Sequence, residues 1–177
     1  MYSPAWSRDG DWLVVGDRSR LMKVPAGGGK AVPLKQVNMG GHSGVRWSRD
    51  GRWIAYFQPG EGLHLVSVDG RQERLLARGP GVTPGGDFTP GSASYVLARR
   101  GEDRDWELVV VDVASGRELK SAPLEIDRDD GIWTLSCHPD GRRVAITTGR
   151  LRYDIWMIEG FPQPARGWMR LLRHWTQ

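Results

Sequence analysis

One hairpin is written four times in this chain. "AWSRDGDWLVV" begins at Ala5, "RWSRDGRWIAYF" at Arg46, "DFTPGSASYVLA" at Asp87 and "SCHPDGRRVAIT" at Ser136. Aligned on the residue before each turn, the copies fall at Trp6, Trp47, Phe88 and Cys137, spaced 41, 41 and 49 residues apart. A sequence that repeats at this interval builds its fold from one unit used several times. The repeated words are architecture before they are chemistry.

A period of roughly 40–45 residues is that of a four-stranded propeller blade. Each unit parses accordingly. A short strand ends at the anchor residue, and a turn follows: "SRDG", "SRDG", "TPGSAS" or "HPDG". Asp-Gly suits such a turn because Gly accepts positive φ and Asp tolerates left-handed geometry. The second strands, "WLVVG", "WIAYF", "YVLAR" and "VAITT", are rich in β-branched and aromatic residues. Third strands are predicted at "RLMKVPA", "LHLVSVD", "WELVVVD" and "YDIWMIE". Fourth strands are predicted through "GGGKAVPL", "GRQERLLA" and "GRELKSAPL", and the fourth unit lacks one. The fold class is therefore all-β: a partial β-propeller of about four consecutive four-stranded antiparallel blades, the last incomplete. The units run near 1–40, 41–81, 82–130 and 131–162, and 163–177 form a basic amphipathic tail. This tail is expected to pack against the open end of the last blade.

Composition narrows the function classes. Hydrophobic residues make up 39% of 177, enough for a buried core. No run of about 18 apolar residues marks a membrane span, and no signal peptide is legible at the N-terminus. One cysteine excludes an internal disulfide framework. Residues 1–141 carry 18 Lys/Arg against 19 Asp/Glu, whereas 142–177 carry seven Arg against Asp154 and Glu159. A charge-balanced body is not the concentrated basic surface of a nucleic-acid reader, so no nucleic-acid partner is expected.

The sequence "WSRDGRWIAY", followed by "LHLVSVDG" and "RLL", resembles the TolB-type β-propeller repeat. Arg8 and Arg49 stand where that family's turn usually has Pro, and Pro139 keeps it. The resemblance covers roughly residues 1–160. It implies six or more blades in a complete ring and an extracytoplasmic or periplasmic setting. The stretch "TLSCHPDGRRVAITTGRLRYDIWMIEGF" resembles the closing blade of propellers at the C-terminus of bacterial receptor-like serine/threonine kinases. That resemblance implies the C-terminal part of a larger protein. The kinase signatures themselves are absent from the sequence.

Several motifs carry residue types used in chemistry. "GGHSGV" places Ser43 in a near miss of the Gly-x-Ser-x-Gly elbow, but Val45 replaces the last Gly and a strand follows. Cys137 and His138 are adjacent on a strand, so their side chains point to opposite faces. Cys137 is expected in the core and His138 in the turn. His42, His64, His138 and His174 lack metal-ligand spacing. His64 is expected to be a satisfied or exposed strand histidine. Asp127, Asp129 and Asp130 partly resemble a calcium loop without its distal Glu. They read as a solvated turn whose carboxylates offset Arg128. "AGGGKAV" with Lys30 reads as a hairpin turn rather than a phosphate cradle. Trp6, Trp12, Trp47 and Trp53 recur at repeat positions and are expected between blades, while Trp106, Trp133, Trp168 and Trp175 are expected to be exposed.

No residue is assigned a catalytic, cofactor-binding or metal-binding role, and no cofactor is implied. The expected function is a non-enzymatic recognition or sensor module. It would bind a protein or small ligand through blade-end loops, with self-association through open blade edges. The alternatives are the propeller of a prolyl-oligopeptidase-type serine peptidase, whose hydrolase domain is not found in the sequence, and a TolB-like partner of the Tol–Pal envelope system.

Overall fold

The computed structural model describes residues 4–40, 44–79, 81–101 and 103–150. Every regular element among them is a strand. Strands β1 (Ala5–Trp6), β2 (Trp12–Gly16), β3 (Arg20–Pro25) and β4 (Val32–Gln36) form the first sheet in that order. The second contains β5 (Val45–Trp47), β6 (Trp53–Gln58), β7 (Gly62–Ser67) and β8 (Glu73–Arg78). The third contains β9 (Val82–Phe88), β10 (Ser94–Arg100), β11 (Trp106–Asp112) and β12 (Glu118–Leu124). The fourth pairs β13 (Gly131–Cys137) with β14 (Val144–Gly149). The third strand predicted for this unit, "YDIWMIE", lies outside the described residues. Each sheet is an antiparallel meander. Across sheets, β1 meets β5, β5 meets β9 and β9 meets β13. The first strands converge and the fourth strands diverge, so the sheets are blades of a partial propeller.

The residue alternation in each strand explains the stacking. Along β6, Trp53, Ala55 and Phe57 join the core shared with the third blade, while Ile54 and Tyr56 join the core shared with the first. In β10 and β11, Tyr95, Leu97, Val109 and Val111 face back toward the second blade, whereas Val96, Leu108 and Val110 face the fourth. A strand with neighbours on both faces has to be apolar at consecutive positions, which is why "WIAYF" and "YVLA" lack the usual polar alternation. The inter-blade cores close with polar links near the rim. Lys23 lies 5.3 Å over the Trp12 ring and donates to the Val68 carbonyl of the next blade. Arg74 lies 4.3 Å over Trp53 and donates to the Val113 and Ala114 carbonyls. The same bridge, a cation stacked on the first residue of the second strand, is thus built by non-equivalent residues in two blades.

The repeated turn is a self-contained hydrogen-bond unit. Ser48 Oγ accepts from the Trp53 amide at 2.8 Å and donates to Asp50 at 2.6 Å, and Asp50 accepts from the Arg52 amide at 3.1 Å. Ser7, Asp9, Asp11 and Trp12 repeat these contacts. Ser67, Asp69, Arg71 and Gln72 make them again in the β7–β8 turn, an outer hairpin. Gly10, Gly51 and Gly70 close the three turns at φ of 80°, 77° and 76°. In the third blade Ser92 takes this left-handed position at 59°, a conformation uncommon for a residue other than Gly. Ser48 is fully buried. Ser48→Ala leaves the Trp53 amide without its acceptor and is expected to cost about 1–3 kcal/mol. Ser67→Ala, on an exposed hairpin, should cost less than about 1 kcal/mol. Urea denaturation of both variants checks the order.

Candidate functional site

The first-hairpin turns of the four blades gather at one end of the inner strands. Arg8 Nη1 donates to the Arg49 carbonyl at 3.2 Å, joining turns one and two. The Asp50 amide donates to Ser92 Oγ at 3.1 Å, joining turns two and three. A side chain at Gly141 would touch the Pro90 ring at 3.6 Å, so turn four lies against turn three. Arg49 Nη2 reaches the Cys137 carbonyl at 3.2 Å, linking the second blade to the fourth. These contacts exist because the turns extend from strands that already converge.

Two adjoining cavities open at this end. One, of about 380 Å³, is lined by Trp6, Arg8, Trp47, Ser48, Arg49 and Pro90. The other, of about 600 Å³, is lined in part by Asp9, Trp12, Lys23 and Asp50, and shares Arg8 and Trp47 with the first. Trp6 is 59% exposed, contrary to the expectation of a core position. It pairs with Leu13 and lies at the mouth of the smaller cavity, where no described blade covers it. The acids of the larger cavity are held ionised by their turns. Ser7 and the Asp11 amide lower the Asp9 pKa. At Asp50, burial opposes ionisation but the hydrogen bonds from Ser48 and Arg52 outweigh it. A third space, about 290 Å³, lies between the second and third blades over Leu76, Val82, Leu97 and Val109. It is the crevice left where the outer strands part, and on its third-blade side Arg99 pairs with Glu107 and Glu118 at 2.9 Å.

The residue types that could carry chemistry are dispersed over the described blades. Cys137 is buried between the third and fourth blades, and burial pushes its thiol up to about 11, with Asp87 adding to the effect. Its amide donates to Asp87 at 2.9 Å. His138 instead shapes its turn, accepting the Asp140 amide at Nδ1. The acidic loop corrects the sequence expectation. Arg128 pairs with Asp105 at 2.6 Å. The guanidinium among the loop acids is that of Arg150, 2.8 Å from Asp127, 3.1 Å from Asp130 and 3.8 Å from Asp129. The Gly131–Gly149 pairing brings Arg150 there. Trp106 is 5% exposed rather than surface-lying; Arg100 covers its ring at 4.5 Å and the indole Nε1 donates to the Asp130 carbonyl. Trp133 is 44% exposed, as expected. Lys30 follows a β3–β4 turn that runs through Gly28 and Gly29 at positive φ. Ser43, His42, His174, Trp168 and Trp175 lie outside the described residues.

His64 is buried rather than exposed. It is 8% exposed, stacks on Tyr56 with ring centroids 5.4 Å apart, and among the described residues its Nε2 has no hydrogen-bond partner. Glu61 lies 3.4 Å from Nε2 and Glu73 3.7 Å from Nδ1. Glu73 also accepts from Tyr56 and from Lys35 of the first blade, at 2.7 Å in the latter case, which locks the outer rims together. Burial lowers the His64 pKa below its ordinary 6.5 despite the two carboxylates. The unfolded chain therefore takes up this proton first as pH falls. Stability should decline from pH 6.5 toward about 5, above the carboxylate range. Denaturation midpoints measured across this window should show the slope, and His64→Gln should flatten it.

No family model matches the chain, and no curated protein does. Solved structures of similar shape are available. A putative TolB from Agrobacterium tumefaciens gives a TM-score of 0.59 at 20% identity, covering 84% of this chain and 57% of that one. TolB from Acinetobacter baumannii gives 0.61 at 16%, covering 81% and 36%. A nidogen/laminin complex gives 0.65 at 15%, covering 81% and 55%. The chain spans from about a third to somewhat over half the length of these structures. At such identities the likeness is one of fold, and the chain has the bladed β-propeller fold that TolB proteins share.

Proposed function

We propose that this chain is a non-enzymatic recognition module that engages a protein partner at the turn end of its inner strands. The observation that carries this reading is the convergence of four hairpin turns around Trp6, Arg8, Trp47 and Arg49, where two indoles and two guanidiniums share one concave surface. Trp and Arg are the residue types that dominate interface energetics. A rigid scaffold that presents its turns side by side costs little ordering on binding. A structure of similar shape belongs to a nidogen/laminin complex, a precedent for a propeller among protein assemblies.

Within this reading, the closing-blade words "HPDGRRVAI" and "YDIWMIEGF" favour the sensor region of a bacterial receptor-like serine/threonine kinase over the Tol–Pal role. The inference rests on those words alone. No catalysis is assigned to the chain: its one cysteine is buried with a raised pKa, and the histidine beside it serves a turn.

The test compares the partners cross-linked to the intact chain with those of a Trp6→Ser/Trp47→Ser variant and of an Arg99→Ala variant on the blade crevice. Proteins enriched by the wild type should be lost with the indole variant and retained with Arg99→Ala. Equal recovery by all three would contradict the assignment of the surface. Covalent labelling by a fluorophosphonate hydrolase probe would contradict the non-enzymatic reading.

A further inference from the structure

The smaller cavity has a chemistry that points to a ligand class, and the inference rests on the recognition reading above. We propose that the cleft lined by Trp6, Arg8, Trp47 and Arg49 binds a carboxylate carried by an acidic peptide segment. Arg8 and Arg49 occupy the turn position that holds Pro in the repeat this chain resembles, and Pro90 and Pro139 keep it in the third and fourth units. The turn does not need Arg at this position, because its hydrogen bonds come from Ser, Asp and the backbone. The two departures lie 41 residues apart in sequence, yet they meet across one cleft.

The guanidiniums are tethered without being neutralised. Arg8 spends one N–H on the Arg49 carbonyl and Arg49 spends one on the Cys137 carbonyl, both at 3.2 Å. Among the described residues neither forms an ion pair, in contrast to Arg52, Arg99, Arg128 and Arg150. A guanidinium carries five N–H donors in a planar fork, so each keeps donors for a carboxylate. Carbonyl tethers fix the arms without cancelling the charge. Among the described residues no acidic side chain lines this cavity; Asp9 and Asp50 line the adjoining one and are engaged by their own turns. The Trp6 and Trp47 indoles supply apolar walls that lower the local dielectric and so strengthen a charge-assisted bond. A volume of about 380 Å³ accommodates a side chain with part of its backbone.

An acidic peptide is favoured over a free small acid because the adjoining larger cavity shares Arg8 and Trp47 with the cleft and carries Lys23 beside Asp9 and Asp50, so a chain anchored by one carboxylate has a mixed-charge surface along which to continue. The experiment titrates the full chain by calorimetry with an N-acetylated Glu-rich hexapeptide, its Gln counterpart and free glutarate. The Glu peptide should bind with an affinity that falls as salt rises. The Gln peptide and the Arg8→Gln/Arg49→Gln variant should each lose at least about tenfold, as expected when a charged hydrogen-bond partner is removed. Circular dichroism verifies that the variant is folded. Equal affinity of wild type and variant, or no binding of the Glu peptide, overturns the proposal. Glutarate binding as tightly as the peptide overturns the peptide source. If the Arg variant still cross-links the partners that the indole variant loses, the carboxylate assignment fails while the recognition surface stands.

Discussion

Face-to-face burial between consecutive sheets is the constraint on which the rest of this molecule depends. A sheet with apolar faces has to bury them against another layer. Here each sheet finds that layer in the next, and the second and third blades are apolar on both faces. The strand period of two then fixes which side chains serve which neighbour. The same geometry has two further consequences. Convergence of the inner strands gathers the turns, and divergence of the outer strands opens the crevice between β8 and the third blade. The exposed surfaces of the molecule follow from how blades stack rather than from any local sequence rule.

The turn complements this scaffold because it is independent of it. Ser, Asp and Gly satisfy one another within five residues, so the turn keeps its shape wherever a hairpin ends, including the outer hairpin at Ser67–Gln72. The residue after Ser takes no part in those hydrogen bonds except through its own side chain. It can be Pro where stiffness serves, or Arg where reach serves. Arg8 and Arg49 use that freedom to link the first blade to the second and the second to the fourth, and to charge the cleft. Function in such a fold is carried by positions that the architecture leaves open.

The hairpins were legible because their determinants are local: an Asp-Gly turn flanked by β-branched and aromatic residues announces itself within ten residues. Alignment with Trp6 and Trp47 places Cys137 in the core; it is buried there, as is the aligned Phe88, although Trp6 is not. Exposure was not legible, because it depends on which blade lies alongside. Trp6 stands at a repeat position yet is exposed on an uncovered face, and Trp106 stands outside the repeat yet is buried under Arg100. Counter-ions were missed for the same reason. Arg150 lies beyond the acidic loop in sequence and reaches it only through strand pairing. The Tyr56–His64–Glu73–Lys35 cluster joins residues from two blades, and none of them forms a motif. The signal for the Arg8–Arg49 cleft was present as two departures from the repeat, but their meeting is a tertiary fact.

Hydrogen–deuterium exchange on the free chain tests the dependence of one blade on the next most directly. If stacking holds the fold together, amides in β6, β7, β10 and β11 exchange only through a shared opening, with the same free energy and the same response to urea. The first blade, covered on one face among the described residues, exchanges faster. Blades that open independently, each with its own free energy and urea response, would contradict the account.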